Sequence, residues 1–111
     1  MRVMGLMSGT SADGVDAALV ELYGAPPNLE WQILGHTAIA FPAPLRERIL
    51  TSSNPNTSSV DKLCALNFAL GEFYAEVVIR AAADAGFALN QIDLIGSHGQ
   101  TVWHAPAGPE A

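Results

Sequence analysis

A polar, glycine-containing turn held between two apolar runs constrains this chain more tightly than any other stretch. Arg2 to Met7 and Val15 to Leu22 are apolar, and Ser8, Gly9, Thr10, Ser11, Asp13 and Gly14 lie between them. Such a pattern predicts strand, turn, strand. A hairpin closes with about two to five residues, so this turn is long, and its length goes into small hydroxyls, glycines and carboxylates. Glycines let a backbone turn tightly and bring its N–H groups close to a ligand, which is how a loop cradles phosphate oxygens. Asp13 and Asp16 repel a phosphate directly. A carboxylate beside such a loop makes sense when Mg²⁺ or its water shell lies between them. Turn chemistry alone accounts for the same Gly, Ser and Asp content, and on spacing both readings stand. The stretch is not a Walker A loop, because no Gly-Lys-Ser/Thr follows, nor a GxGxxG dinucleotide fingerprint.

Composition narrows the class. With 50% hydrophobic and 14% charged residues over 111 positions, the chain is too apolar for disorder and is expected to form one domain. A net charge of −6 argues against a nucleic-acid partner, which calls for a basic stripe. It does not argue against a nucleotide, whose phosphates are met by backbone N–H groups and Mg²⁺. The single cysteine, Cys64, excludes an internal disulfide framework and is expected as a buried, inert thiol. The apolar run after Arg2 is too short for a signal peptide. No stretch reaches the roughly 18 apolar residues of a membrane span. A soluble, cytoplasmic protein with no membrane partner is the expectation.

Beyond the hairpin, Tyr23 to Asn28 reads as a turn, since Pro26-Pro27 continues neither strand nor helix. Trp31 to Phe41 alternates, with Trp31, Ile33, Thr37, Ile39 and Phe41 expected on one face, and predicts a third strand. His36 falls on the less apolar face, where a solvated or capping role is expected. Leu45 to Leu50 predicts a short helix whose Arg46, Glu47 and Arg48 are exposed charges, and Thr51 to Ser59 a loop. Ser58 and Asp61 have capping-box spacing. After them Val60, Leu63, Leu66, Leu70, Phe73, Val77 and Ala81 recur at helical intervals, predicting a helix to about Ala85 with Gly86 as its stop. Gly71 interrupts that helix at a cost of ~1 kcal/mol relative to alanine, and close packing against a neighbour is the expected reason. Gln91 to Ser97 predicts a buried strand reached by a crossover and therefore parallel to an earlier one. The order is β-β-β-α-β, an α/β class. The terminal GPEA reads as loop.

Ser97, His98, Gly99, Gln100 and Thr101 are expected directly after that last strand. Ligands of open α/β sheets collect outside the carboxyl ends of strands. A hydroxyl, an imidazole and an amide there suit sugar hydroxyls or an N-acetyl group; a plain polar strand end is the other reading. Trp103 is expected to pack rather than stack.

Two strings decide more than their spacing does. MSGTSADGVDAALV closely resembles the N-terminal signature of the anhydro-N-acetylmuramic acid kinases, within the sugar kinase, Hsp70 and actin superfamily. GSHGQTVWHAP, Gly96 to Pro106, is similar to that family's second signature. The resemblance covers the chain but not a family protein, which is far longer. It implies a partial N-terminal lobe of the actin-like (ribonuclease H-like) fold over residues 1–111, with the second lobe absent. It implies a kinase that opens the 1,6-anhydro bridge of 1,6-anhydro-N-acetylmuramic acid with water and phosphorylates O6 from ATP, yielding N-acetylmuramic acid 6-phosphate for peptidoglycan recycling.

By the same resemblance Gly9, Thr10, Ser11, Ala12, Asp13, Gly14, Val15 and Asp16 hold the ATP phosphates. Asp16 is the preferred residue for Mg²⁺, through water. Ser97, His98, Gln100 and Thr101 lie on the substrate side. Ala12 stands where the family usually has a bulkier apolar residue, a departure expected to affect packing rather than phosphate contact. The aspartate that activates water falls beyond Ala111. Neither Asp84 nor Asp93 has a matching context, so no catalytic residue is assigned and the segment alone is expected to be inactive. A non-catalytic nucleotide-binding or chaperone-like member of the same superfold is the alternative, since fold does not fix function. Homodimerisation is left open. An incomplete lobe is expected to leave an unpaired sheet edge and exposed apolar helix surface.

Overall fold

The computed structural model describes residues 1–108, so the GPEA loop lies outside the described residues from position 109 on. Its elements are β1 (Arg2–Ser8), β2 (Gly14–Tyr23), β3 (Glu30–Ala40), α1 (Ala43–Ser52), α2 (Val60–Asp84) and β4 (Leu94–Gln100), with a short 3₁₀ turn at Leu89–Gln91. One sheet has the order β3-β2-β1-β4. β2 is antiparallel to both β1 and β3. β4 is parallel to β1, as expected of a helical crossover.

The helices cover one face of this sheet. Met4 and Leu6 of β1 face the same way as their partners Leu19 and Ala17 on β2, and all four are buried. Against them α2 packs Leu66, Leu70, Phe73, Val77, Val78, Ala81 and Ala82. The Phe41 and Phe73 rings meet with centroids 5.3 Å apart and planes tilted by 43°, a geometry that contributes about 0.5–1.5 kcal/mol beyond area burial. The helix stops as its sequence predicts: Ala85 caps it and Gly86 takes φ +83°. Gly35 of β3 lets the end of α2 approach, since a Cβ there would lie 2.9 Å from the Ala85 methyl.

At the start of β4, Asp93 binds β1 twice. Its carboxylate accepts the Arg2 N–H at 2.8 Å, and its own N–H donates to the Arg2 carbonyl at 2.9 Å. The Arg2 guanidinium lies 4.8 Å from the centre of the Phe87 ring, a cation–π contact.

Several expectations are corrected. The third strand does not alternate strictly. Leu19 pairs with Gly35 while Val20 pairs with Ile33, so Leu34 is an extra residue in β3. Such a bulge shifts the phase of every residue on one side of it. Trp31 and Ile33 therefore leave the face of Thr37 and Ile39 and are 64% and 55% exposed. β4 is an edge strand rather than a buried one, with Leu94 and Ile95 exposed. It also runs on to Gln100 and so takes in most of the polar segment expected to follow it. Cys64 is exposed, because it lies off the buried stripe of α2. Val60 and Leu63, in the first turn of α2, are exposed too.

Ser59, not Ser58, is the N-cap of α2, which places Asp61 at the second helical position instead of the third. The Ser59 hydroxyl, with the backbone N–H groups of Asp61 and Lys62, holds the Asp61 carboxyl below its usual value. Gly71 has no close neighbour: a Cβ there would meet nothing within 4 Å.

Since Gly71 is exposed and open, Gly71→Ala raises stability by about 0.5–1 kcal/mol through helix propensity, read as a higher urea midpoint. A carboxyl whose folded pKa is depressed stabilises the fold above its unfolded pKa and loses that contribution as pH falls through the folded value. Ser59→Ala therefore lowers the midpoint at neutral pH, and the gap to wild type narrows as the medium is acidified below the ordinary carboxylate range. A gap that stays constant with pH contradicts this role for Asp61.

Candidate functional site

The turn between β1 and β2 is built by three local devices. Ala12 takes φ 54°, a left-handed conformation that costs a non-glycine residue about 1–2 kcal/mol, and its methyl is buried. The Ala12 N–H closes the turn on the Gly9 carbonyl at 3.2 Å. Gly14 then starts β2 against β3. A Cβ on Gly14 would lie 2.4 Å from the Ile39 carbonyl oxygen and 2.9 Å from the Ala40 Cα, so only glycine fits. The outcome is a cleft of about 440 Å³ whose walls include Gly9, Ser11, Asp13, Gly14, Asp16 and Ala38.

Within this loop the side chains divide. Thr10, Ser11, Asp13 and Asp16 are exposed, while Val15 is buried in the core and contributes through its backbone alone. Among the described residues no protein group accepts a hydrogen bond from the N–H of Thr10 or Ser11. These donors are free for an anion.

Two side chains reach the loop that the sequence reading left on the surface. Arg46 of α1 donates through Nη2 to the Ser11 carbonyl at 3.5 Å and lies 3.8 Å from Asp13 Oδ1. His36 Nε2 of β3 lies 3.4 Å from Asp16 Oδ1. Both pairs are exposed, where such contacts contribute at most about 1 kcal/mol, so they orient carboxylates more than they stabilise the fold. His36 meets Asp16 through strand register, since it pairs with Ala18, two residues from Asp16 on the same face of β2. Neither that pairing nor the approach of Arg46 had a signal in the sequence.

The second polar segment comes to the same end of the sheet, because β4 runs parallel to β1. Leu6 pairs with Ser97 but Ser8 pairs with Gln100, so β4 carries one extra residue at His98-Gly99, where Gly99 takes φ +77°. The bulge turns Gln100 onto the face of Ser8. There Gln100 Oε1 accepts the Ser8 hydroxyl at 2.5 Å, and Nε2 donates to the carbonyls of Gly9 and Thr101, both at 2.9 Å. The Ser97 hydroxyl accepts the Gly99 N–H at 3.1 Å. Ser97 and Gln100 are thus engaged within the protein, while the exposed His98 imidazole and the half-buried Thr101 hydroxyl have no protein partner among the described residues. Asp93 and Asp84 have structural contacts, Asp93 to Arg2 and Asp84 to the Thr37 hydroxyl at 3.4 Å.

A larger cleft of about 540 Å³ lies between α1 and α2, lined by Glu47, Arg48, Asp61 and Lys62 among others. It has neither glycine turn nor free loop N–H groups, and the smaller cleft is the better anion site. Among the described residues no three His, Cys, Asp or Glu side chains gather as a metal cluster. An exposed carboxylate such as Asp16 suits Mg²⁺, which keeps several waters and takes phosphate oxygens for the remainder.

An antiparallel three-strand meander, a crossover helix and a parallel fourth strand, with a glycine turn after β1, define an α/β unit of the sugar kinase, Hsp70 and actin superfold, here part of its N-terminal lobe. The sequence model of one family in that class, described as anhydro-N-acetylmuramic acid kinase, matches residues 1–111, and the chain belongs to this family. It is 43% identical over 104 residues to the anhydro-N-acetylmuramic acid kinase of Caldanaerobacter subterraneus, covering 94% of this chain and 26% of that protein. Against the Salinibacter ruber kinase of the same name the identity is 48%, with the same two coverages. Against that of Bacillus cereus strain G9842 it is 41%, covering 96% of this chain and 28% of the relative. The chain therefore spans about a quarter of the length of these curated relatives. No helix among the described residues is long and apolar enough to cross a membrane.

Gly14→Ala drives a Cβ into the β3 backbone. It is expected to cost about 1–3 kcal/mol of stability, read by urea unfolding. Unchanged stability contradicts the contact.

Proposed function

We propose that this chain supplies the phosphate-binding loop and part of the sugar site of an ATP-dependent anhydrosugar kinase. In that reaction water adds its hydroxyl at C1 of 1,6-anhydro-N-acetylmuramic acid, the bond from C1 to O6 breaks, and O6 takes the γ-phosphoryl group of ATP, with release of ADP and a proton. The product is N-acetylmuramic acid 6-phosphate, which fits peptidoglycan recycling in the cytoplasm. The observation that carries the reading is the meeting of two polar segments, one on each neighbour of β1, at one end of the sheet. Phosphoryl transfer from ATP to a sugar hydroxyl needs both ligands side by side and in line.

The residues divide the work by chemistry. Backbone N–H groups of Thr10 and Ser11, with their hydroxyls, donate to phosphate oxygens. Gly9 and Gly14 give the backbone its approach. Asp13 and Asp16 border the cleft, and Asp16, steadied by His36, would hold Mg²⁺ through water. When bound, that ion neutralises charge on the phosphates. His98 and Thr101, whose side chains are free, are the sugar-facing groups of the second segment, and Ser97 shapes the turn that presents them. Among the described residues Asp84 and Asp93 are held in structural contacts and no carboxylate is assigned to activate water, so this segment alone is proposed to lack turnover.

In the full-length protein, Mg-ATP turnover should rise on addition of the anhydrosugar. Asp16→Asn should lower kcat by roughly a hundredfold or more, by analogy with other lost charge-stabilising groups. Turnover independent of the sugar supports a chaperone-like ATPase instead, and turnover by the isolated 111-residue chain overturns its proposed inactivity.

A further inference from the structure

We infer that Gln100 is a positioning residue for the nucleotide: through the Gly9 carbonyl it sets the direction of the Thr10 N–H in the phosphate loop. The inference rests on the reading of that loop as the phosphate site.

The argument starts from a planar peptide. In a trans unit the carbonyl of one residue and the N–H of the next point in opposite directions within one plane. Fixing the Gly9 carbonyl therefore fixes the Thr10 N–H. Two donors hold that carbonyl, Gln100 Nε2 at 2.9 Å and the Ala12 N–H at 3.2 Å, which matches its two lone pairs. Rotating this peptide sacrifices both bonds. The Thr10 N–H is left pointing away from Gln100, with no protein acceptor among the described residues, on an exposed residue.

Gln100 is itself held. Its two N–H donors go to the Gly9 and Thr101 carbonyls, and its oxygen accepts the hydroxyl of Ser8, which is 2% exposed. The opposite amide orientation would set its oxygen against the Gly9 and Thr101 carbonyls, whereas the Ser8 hydroxyl can donate or accept, so the two carbonyls select one orientation. With both donors spent on the protein, Gln100 has none for a sugar. Its place in the second polar segment is thus that of a strut beneath the first.

Kinetics of the full-length protein separate the roles. Gln100→Met removes both donors at similar size without adding charge, and Ser8→Ala removes the anchor of the amide at a buried side chain that does not line the cleft. Loss of one hydrogen bond to a charged phosphate oxygen corresponds to roughly tenfold or more in affinity. Both variants should therefore raise the KM for Mg-ATP and its Kd by calorimetry by about that factor, and leave the KM for the anhydrosugar within about twofold. A rise in the sugar KM with nucleotide affinity unchanged overturns the inference and makes Gln100 a sugar contact. Unchanged nucleotide binding in a folded Ser8→Ala protein also overturns it. If wild type binds Mg-ATP without sugar-dependent turnover and both variants weaken that binding, the kinase reading fails while the strut stands. If wild type does not bind Mg-ATP, the phosphate-loop reading fails and the inference with it.

Discussion

β1 is hydrogen-bonded on both sides, antiparallel to β2 and parallel to β4, and the geometry of the site depends on that pairing. A parallel neighbour must run in the same direction, so the chain cannot return from β1 to β4 by a tight turn and needs a long crossover. The 25 residues of α2 form the longest element of that connection. The same direction brings the carboxyl ends of β1 and β4 to one edge of the sheet. The glycine turn leaves β1 at that edge, and the segment from Ser97 to Thr101 arrives there with β4. Two polar stretches separated by most of the chain become neighbours because of strand direction, and the bonds from Gln100 to Ser8 and Gly9 are its local result.

That edge is backed by a one-sided core. Met4, Leu6, Val15, Ala17 and Leu19 line the face under α2, and Phe41 packs with Phe73 where β3 hands over to α1. The opposite face carries Met7, Trp31, Ile33 and Leu94, all about half exposed or more, together with Asp16 and His36. Antiparallel sheets commonly leave one face to water, but that face is normally polar. Here it is apolar except near the loop. The site therefore sits between a packed face, which fixes the backbone positions of Ser8 and Val15, and an open face, which presents the carboxylates.

The electrostatics of the loop agree with an acidic chain. Net charge is −6, and the loop recruits no cluster of cations; Arg46 is engaged with Asp13 and the Ser11 carbonyl. An anion here would be met by oriented N–H dipoles, whose directions are fixed before it arrives and need no reorganisation on binding. Such donors work only if their peptide planes are held, and the left-handed Ala12 and the Gln100 strut do that holding.

The sequence by itself determined which elements form: three strands, a helix with its glycine stop and a fourth strand, all legible from apolar spacing. It also determined which hydroxyls, glycines and carboxylates the loop carries and, through two signature strings, the family. The tertiary structure decided what spacing cannot carry. An extra residue at Leu34 sends Trp31 and Ile33 to the open face, and one at His98-Gly99 turns Gln100 from the sugar side to the loop. Both depend on which residue of a neighbouring strand each one faces, and that pairing exists only between strands. Exposure behaved in the same way. Cys64 and Gly71 read as packed, yet both lie clear of the sheet, because helical spacing tells which residues share a face and only the assembled layers tell which face is covered. Arg46 reached the loop through the placement of α1, a distance no local pattern records.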